Sequence, residues 1–215
     1  ATLKVGPQPH SIACFADRTN RYGGAEPGGT VKGAVSNAGD NSLVVFEVAT
    51  LRITATIPNV PASRGFHGIR VIRAIRDSVG IATTVAVAGT EANVVTVVSL
   101  ANSRVLTQIP VNRPTAITNA AFGGWGYFDD VGSHVAVTSA GNNEILIYDS
   151  ATFARGPSYK NIPSPQDLAY SSVPTPFATL ERRLLFATGP GQDALFYWRE
   201  GEFGLTPSFI PGIPG

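Results

Sequence analysis

VAVAGTEANVVTVVSLANSRVLTQIP, residues 85–110, reads as three β-strands in succession, and the rest of the chain repeats its plan. Val85–Ala88 alternates and runs into Gly89, Asn93–Leu100 resumes a β-branched run, and Arg104–Ile109 ends at Pro110. Val, Ile and Thr suit pleated, half-buried strands. Ile-Pro returns at Ile57-Pro58, Ile162-Pro163 and Ile210-Pro211, giving spacings of 52, 53 and 48 residues. A further proline follows each pair, at Pro61, Pro114, Pro165 and Pro214. Proline cannot donate to a ladder, so it ends pairing on an outermost strand. A glycine in a polar turn precedes each pair, at Gly39, Gly89, Gly141 and Gly189. These glycines are expected to supply the positive φ of a tight hairpin.

A period near 50 residues built from strands alone predicts an all-β, four-bladed β-propeller with about four antiparallel strands per blade. The blades fall roughly at 7–61, 62–114, 115–165 and 166–215 of a single domain, 1–215. Blade 1 reads Val31–Ser36, Leu43–Val48 and Arg52–Ile57, and blade 3 reads His134–Ser139, Glu144–Asp149 and Pro157–Ile162. Blade 4 reads Arg183–Thr188, Ala194–Arg199 and Leu205–Ile210. An innermost strand follows each crossing, with Ile12, Ile69, Ile117 and Leu168 in register. Its hairpin to the second strand varies: Asp17 to Gly29, Asp77 to Gly80, Asp129 to Gly132, Pro174 to Thr179. Thr2–Val5, before Gly6 and Pro7, reads as a closing strand (residues 1–6) that pairs with the last blade and removes the open edge.

Composition bounds the partners. Hydrophobic residues at 43% against 14% charged can fill a large core, which excludes a disordered chain. A net charge of +1 argues against nucleic acid, whose phosphates need a basic face. No apolar run approaches the roughly 18 residues of a membrane span, so a soluble chain is expected. Cys14 stands alone, which forbids an intrachain disulfide and leaves the compartment open. The expected partner is a small molecule, and the expected state a monomer or homodimer.

Ala140-Gly141-Asn142-Asn143, Asp149-Ser150-Ala151-Thr152 and Gln108-Ile109-Pro110 resemble the YVTN-type β-propeller repeat, which runs strand, Asn/Gly turn, strand ending near Asp-x-Ala-Thr, strand ending in Ile-Pro. The resemblance spans nearly the whole chain and implies a fold rather than a chemistry. Members of that family usually have more blades than four. In size and blade count the chain is also similar to the small four-bladed pink chromoproteins of mushroom fruiting bodies, which implies a carried pigment.

Aligned inner strands place His10, His67, Thr115 and Gln166 at one equivalent position, around one mouth of the axial channel. Two imidazoles, a hydroxyl and an amide suit a polar ligand group; His10 and His67 could also hold a metal ion there. The bland alternative is that they cap strand ends. Arg70, Arg73 and Arg76 lie on the inner strand of blade 2, and a buried guanidinium needs an acceptor from the protein or from a ligand. Phe122-Gly123-Gly124-Trp125-Gly126-Tyr127-Phe128 could stack a planar ligand through Trp125, or fill the wedge between blades; Tyr170 carries the same ambiguity. Cys14 is a candidate for covalent attachment, against the usual role of a lone cysteine as a small buried hydrophobe. His134 reads as a strand-end histidine.

No nucleophile elbow, phosphate loop, zinc spacing or calcium loop occurs. The leading reading is therefore a non-enzymatic propeller that binds an unknown small organic ligand or chromophore in its axial pocket. A metal-assisted, lactonase-like hydrolase and a protein- or glycan-binding module are the alternatives. A larger propeller completed by a second chain is a further option.

Overall fold

The computed structural model describes residues 2–16, 29–62, 68–77, 80–120, 134–173, 182–189, 194–199 and 208–211. They form four antiparallel sheets of four strands, each in chain order from inside to outside. Blade 1 holds β1 (Pro9–Ala16), β2 (Val31–Asn37), β3 (Ser42–Glu47) and β4 (Arg52–Ile57). Blade 2 holds β5 (Ile69–Asp77), β6 (Gly80–Gly89), β7 (Val94–Ser99) and β8 (Arg104–Pro110). Blade 3 holds β9 (Ile117–Ala120), β10 (His134–Ser139), β11 (Glu144–Asp149) and β12 (Arg155–Lys160). Blade 4 holds β13 (Asp167–Val173), β14 (Arg182–Thr188), β15 (Ala194–Arg199) and β16 (Ser208–Pro211). The innermost strands neighbour one another in the order β1, β5, β9, β13.

Middle strands of blades 1 to 3 are buried on both faces and show no alternation. Gly33–Asn37, Ser42–Phe46 and Val95–Ser99 are each buried without interruption. The outer strand β8 faces water on one side and alternates from Arg104 to Pro110.

Three apolar seams join consecutive blades. Leu43, Val45 and Ile57 of blade 1 meet Ile69, Val85 and Val98 of blade 2. Ala86, Val95 and Ile72 on the other side of blade 2 meet Ile117, Val137 and Tyr148 of blade 3. Ile145, Ile147 and Tyr159 then meet Leu185, Phe196 and Trp198 of blade 4, with the Tyr159 and Trp198 rings 4.9 Å apart.

A left-handed asparagine organises each of blades 1 to 3. Asn41, Asn93 and Asn143 close the second hairpin with φ of 52°, 55° and 56°, a conformation that Asn tolerates better than most residues. Each also holds the crossing that leaves its own blade. Val60, Val111 and Ile162 donate their N–H to the carbonyls of Asn41, Asn93 and Asn143 at 2.7, 3.0 and 3.1 Å. The Oδ1 atoms of Asn93 and Asn143 accept from the N–H of Arg113 (2.9 Å) and Ser164 (2.8 Å).

This corrects the expected role of glycine. The residue at positive φ is the asparagine, whereas a Cβ on Gly39 or Gly89 would come within 2.9 Å of Pro7 or Pro61. Those glycines are small so that the incoming crossing can lie against the turn. The fourfold Ile-Pro also mixes two positions. Ile57, Ile109 and Ile210 pair with Leu43, Val95 and Leu195, but the partner of Ile145 is Tyr159. Ile162 instead occupies the site of Val60 and Val111. The outer strand of blade 3 is accordingly Arg155–Lys160 rather than 157–162. Ile57 and Ile162 are both buried and both followed by a crossing, so their sequences look alike.

The expected closing strand differs too: residues 2–6 form no strand. They lie against blade 1, where Asn37 donates from Nδ2 to the Val5 carbonyl at 2.7 Å. The crossing copy that follows them does form. Gly39 N–H donates to the Pro7 carbonyl and Ala38 N–H to that of Gln8, matching Gly141 to Asn112 and Ala140 to Arg113.

Asn143→Ala is expected to destabilise the chain by about 2 kcal/mol, summing a lost hydrogen bond and an unfavourable left-handed backbone. Asn143→Gly keeps the backbone freedom and should cost about 1 kcal/mol. Urea midpoints compared with the unmodified chain check both, and an unchanged midpoint for Asn143→Ala refutes the latch.

Candidate functional site

Register from the asparagine turns defines two tiers on the inner strands. In the first tier, Ile12, Ile69, Ile117 and Leu168 pair with Val35, Val87, Val137 and Ala187. Their counterparts two residues on are Cys14, Val71, Asn119 and Tyr170, opposite Gly33, Val85, Val135 and Leu185. Two residues before the first tier stand His10, Thr115 and Gln166.

These three residues differ in what they can offer. His10 sits at the irregularity between Pro9 and Ser11 and is exposed, as is Gln166. Thr115 is half-buried with its hydroxyl engaged. Thr115 Oγ1 donates to the Pro165 carbonyl at 2.8 Å and lies 2.7 Å from Thr138 Oγ1. The hydroxyl thereby ties the inner strand of blade 3 to the crossing that starts blade 4. His67 and Trp125 lie outside the described residues, as does the side chain of Arg73.

In the second tier the Cys14 thiol is exposed. Tyr170 is half-buried and packs on the seam between blades 3 and 4. Arg70, next to Val71, is exposed, so its guanidinium keeps contact with water instead of needing a buried acceptor.

Asn119 was not anticipated. Its Nδ2 donates to the Val71 carbonyl at 2.8 Å, bridging blades 3 and 2, while its Oδ1 is buried without a hydrogen-bond partner among the described residues. A buried carbonyl oxygen left unpaired is costly, which makes it a natural acceptor for a ligand or water donor. The sequence signal was an amide where the equivalent positions carry Cys14, Val71 and Tyr170. Among the described residues no group of three or more His, Cys, Asp and Glu side chains could hold a metal ion. No helix among them is long and apolar enough to cross a membrane.

No family model matches the sequence, and no curated protein matches it significantly. Solved structures do match. Hydrazine synthase of Kuenenia stuttgartiensis superposes with a TM-score of 0.55 at 16% identity, covering 98% of this chain and 47% of that one. BBS1N in complex with ARL6DN gives 0.61 at 13% identity, covering 95% and 54%. The dihydro-heme d1 dehydrogenase NirN in complex with DHE gives 0.57 at 14%, covering 86% and 36%. All three are β-propeller-type folds. This chain has a propeller-like fold. It spans about half the length of the first two and less of the third.

The polar chemistry at the far end of blade 3 is structural. Asp149 pairs with His134 across β10 and β11. Its Oδ1 accepts from the Thr152 N–H (2.7 Å), the Thr152 hydroxyl (2.8 Å) and the Ala151 N–H (3.0 Å). The bonds from Thr152 hold the Asp149 carboxyl below its usual value. Burial lowers the pKa of His134, although the Asp149 carboxylate opposes this. Both shifts have one sign for stability. A depressed histidine means that the unfolded chain takes up the proton first, so stability present above 6.5 is lost as pH falls. Asp149 adds stability above 3.8 that is lost on further acidification. The urea midpoint is expected to fall between about pH 7.5 and about pH 5, and to fall less in His134→Gln. Equal slopes in the two proteins refute the assignment to His134.

Proposed function

We propose that this chain is a non-enzymatic small-molecule binder whose inner strands wall an axial cleft for a planar, pigment-like organic ligand. The buried Oδ1 of Asn119, whose Nδ2 binds the carbonyl of Val71 next in sequence to the exposed Arg70, carries this reading. Amide and guanidinium together suit a ligand edge that bears both a donor and an anionic or carbonyl oxygen. Tyr170 offers a ring and Cys14 a thiol in the same tier, while His10 and Gln166 present polar groups at the mouth. His67, Arg73 and Trp125 are carried into this reading from the sequence alone. NirN, with its propeller-type fold, was solved in complex with DHE, which supports ligand holding as a use of such a scaffold. The reading treats residues 1–215 as one domain. The four-bladed ring expected from the sequence is one way of walling the cleft; the reading requires only that the inner strands face a common axis.

Native and denatured masses of the protein from its natural source, with its visible absorption, test the proposal. Extra mass and absorption beyond the aromatic band are expected. Arg70→Ala and Asn119→Ala should each weaken ligand retention about tenfold or more, the loss of one good polar contact. A bare, colourless polypeptide sinks the reading. Stoichiometric divalent metal instead favours the hydrolase alternative, with His10 and His67 as ligands.

A further inference from the structure

One tier position measures seam closure four times in the same molecule. Ile69, Ile117 and Leu168 face the preceding blade and are 6%, 2% and 8% exposed. Ile12 holds the same position on blade 1 and is 59% exposed. The face of blade 1 that turns away from blade 2 is covered only in part: Val35, Val44 and Phe46 on it are 7%, 3% and 6% exposed, and Asn37 of the same face binds the Val5 carbonyl.

The remainder of that face stays open around this covered centre. Ile12 pairs with Val35 and Ile53 with Phe46, and Val48 N–H donates to the Val31 carbonyl, so all six share one side of the sheet. Val31, Val48 and Ile53 are 48%, 38% and 42% exposed. With Ile12 they are four of the five exposed large hydrophobics among the described residues; Leu106 on blade 2 is the fifth. Phe46 fills the centre by lying over Gly33, where a Cβ would fall within 3.1 Å of three ring atoms. A patch of this kind marks an interface. At the other end of the arc, blade 4 turns a matching face outward. Ala169 is exposed there, and the paired Phe186 and Tyr197 are half-buried with ring centroids 6.4 Å apart.

We propose that a second copy of this chain covers both faces, blade 1 of each packing on blade 4 of the other, so that two four-bladed arcs complete one ring about a two-fold axis. The three internal seams show what such faces do when they meet: each joins ten or eleven buried residues into one cluster. A two-fold axis forms the missing seam twice, which brings the contact to the ~2,000 Å² or more of permanent dimers. Self-closure lacks its expected device, since residues 2–6 form no strand and β16 already occupies the outer place of blade 4. The arc also superposes over 98% and 95% of its length on propeller-type chains about twice as long. This proposal stands apart from the ligand reading.

Sedimentation of the unmodified chain at about 10 µM, a concentration well above the dissociation constant of a permanent dimer, is expected to give twice the chain mass. Ile12→Lys and Val48→Lys on one face, and Ala169→Arg on the other, should each raise the dissociation constant at least tenfold while leaving the far-ultraviolet circular dichroism unchanged. Leu106→Lys, off both faces, should leave the dimer intact. A monomer at that concentration overturns the proposal. A dimer that resists Ile12→Lys overturns the blade 1 face as its contact. A dimer broken by Ile12→Lys but spared by Ala169→Arg overturns the pairing of blade 1 with blade 4.

Discussion

The left-handed asparagine at the second hairpin of blades 1 to 3 is the constraint on which the repeat depends. A crossing between blades leaves a sheet edge, contains proline, and still has amides that must be satisfied when buried. Asn41, Asn93 and Asn143 meet that requirement with groups that the turn already has in place: a backbone carbonyl for Val60, Val111 or Ile162, and at Asn93 and Asn143 the side-chain oxygen as well. The outgoing crossing is therefore fixed to its own blade before it reaches the next. On arrival it lies against a turn kept narrow by glycine at Gly39, Gly89 and Gly141. The distance between blades follows from these two contacts, and the seams are packed to that distance.

Packing then divides the strands by depth. Second and third strands are apolar on both faces, with small residues such as Ala34, Ala86 and Ala136 alternating with Val and Ile so that neighbouring sheets approach closely. Innermost strands are the most varied, because they serve a seam and the axis together. On β9, for example, Ile117 enters the seam with blade 2 while Asn119 reaches back to the Val71 carbonyl. Polar chemistry in this molecule concentrates where the repeat is least strict.

Strands were legible where a hairpin brackets them on both sides. Arg52–Ile57, His134–Ser139, Glu144–Asp149 and Ala194–Arg199 are bounded in the sequence as in the structure. Register between the inner strands was legible as well, since β-branched residues recur at Ile12, Ile69 and Ile117. The misreadings have a shared origin. Ile162 and Ile57 are both buried and both precede proline, and only the pairing of Tyr159 with Ile145 tells their sites apart. Glycine and asparagine both suit left-handed turns, and only φ shows which one adopts it. The bonds of Thr115 and Asn119 were hidden for another reason: their acceptors, the carbonyls of Pro165 and Val71, lie about one repeat away. A mouth residue and a strand suture then look identical in sequence.

Stability in a repeat of this kind grows seam by seam, as nearest-neighbour terms, and an end face gains nothing until a neighbour arrives. A chain that ended its arc as a solvent-facing surface would place polar residues there, as terminal repeats do. Blade 1 does the opposite: Ile12 keeps the residue type of a buried seam position while standing 59% exposed. The number of blades about the axis also sets how far apart Cys14, Val71, Asn119 and Tyr170 stand. A ring of four brings those side chains together as a plug, while a wider ring opens a cleft between them. The number of blades thus governs how large a molecule can reach the buried Oδ1 of Asn119.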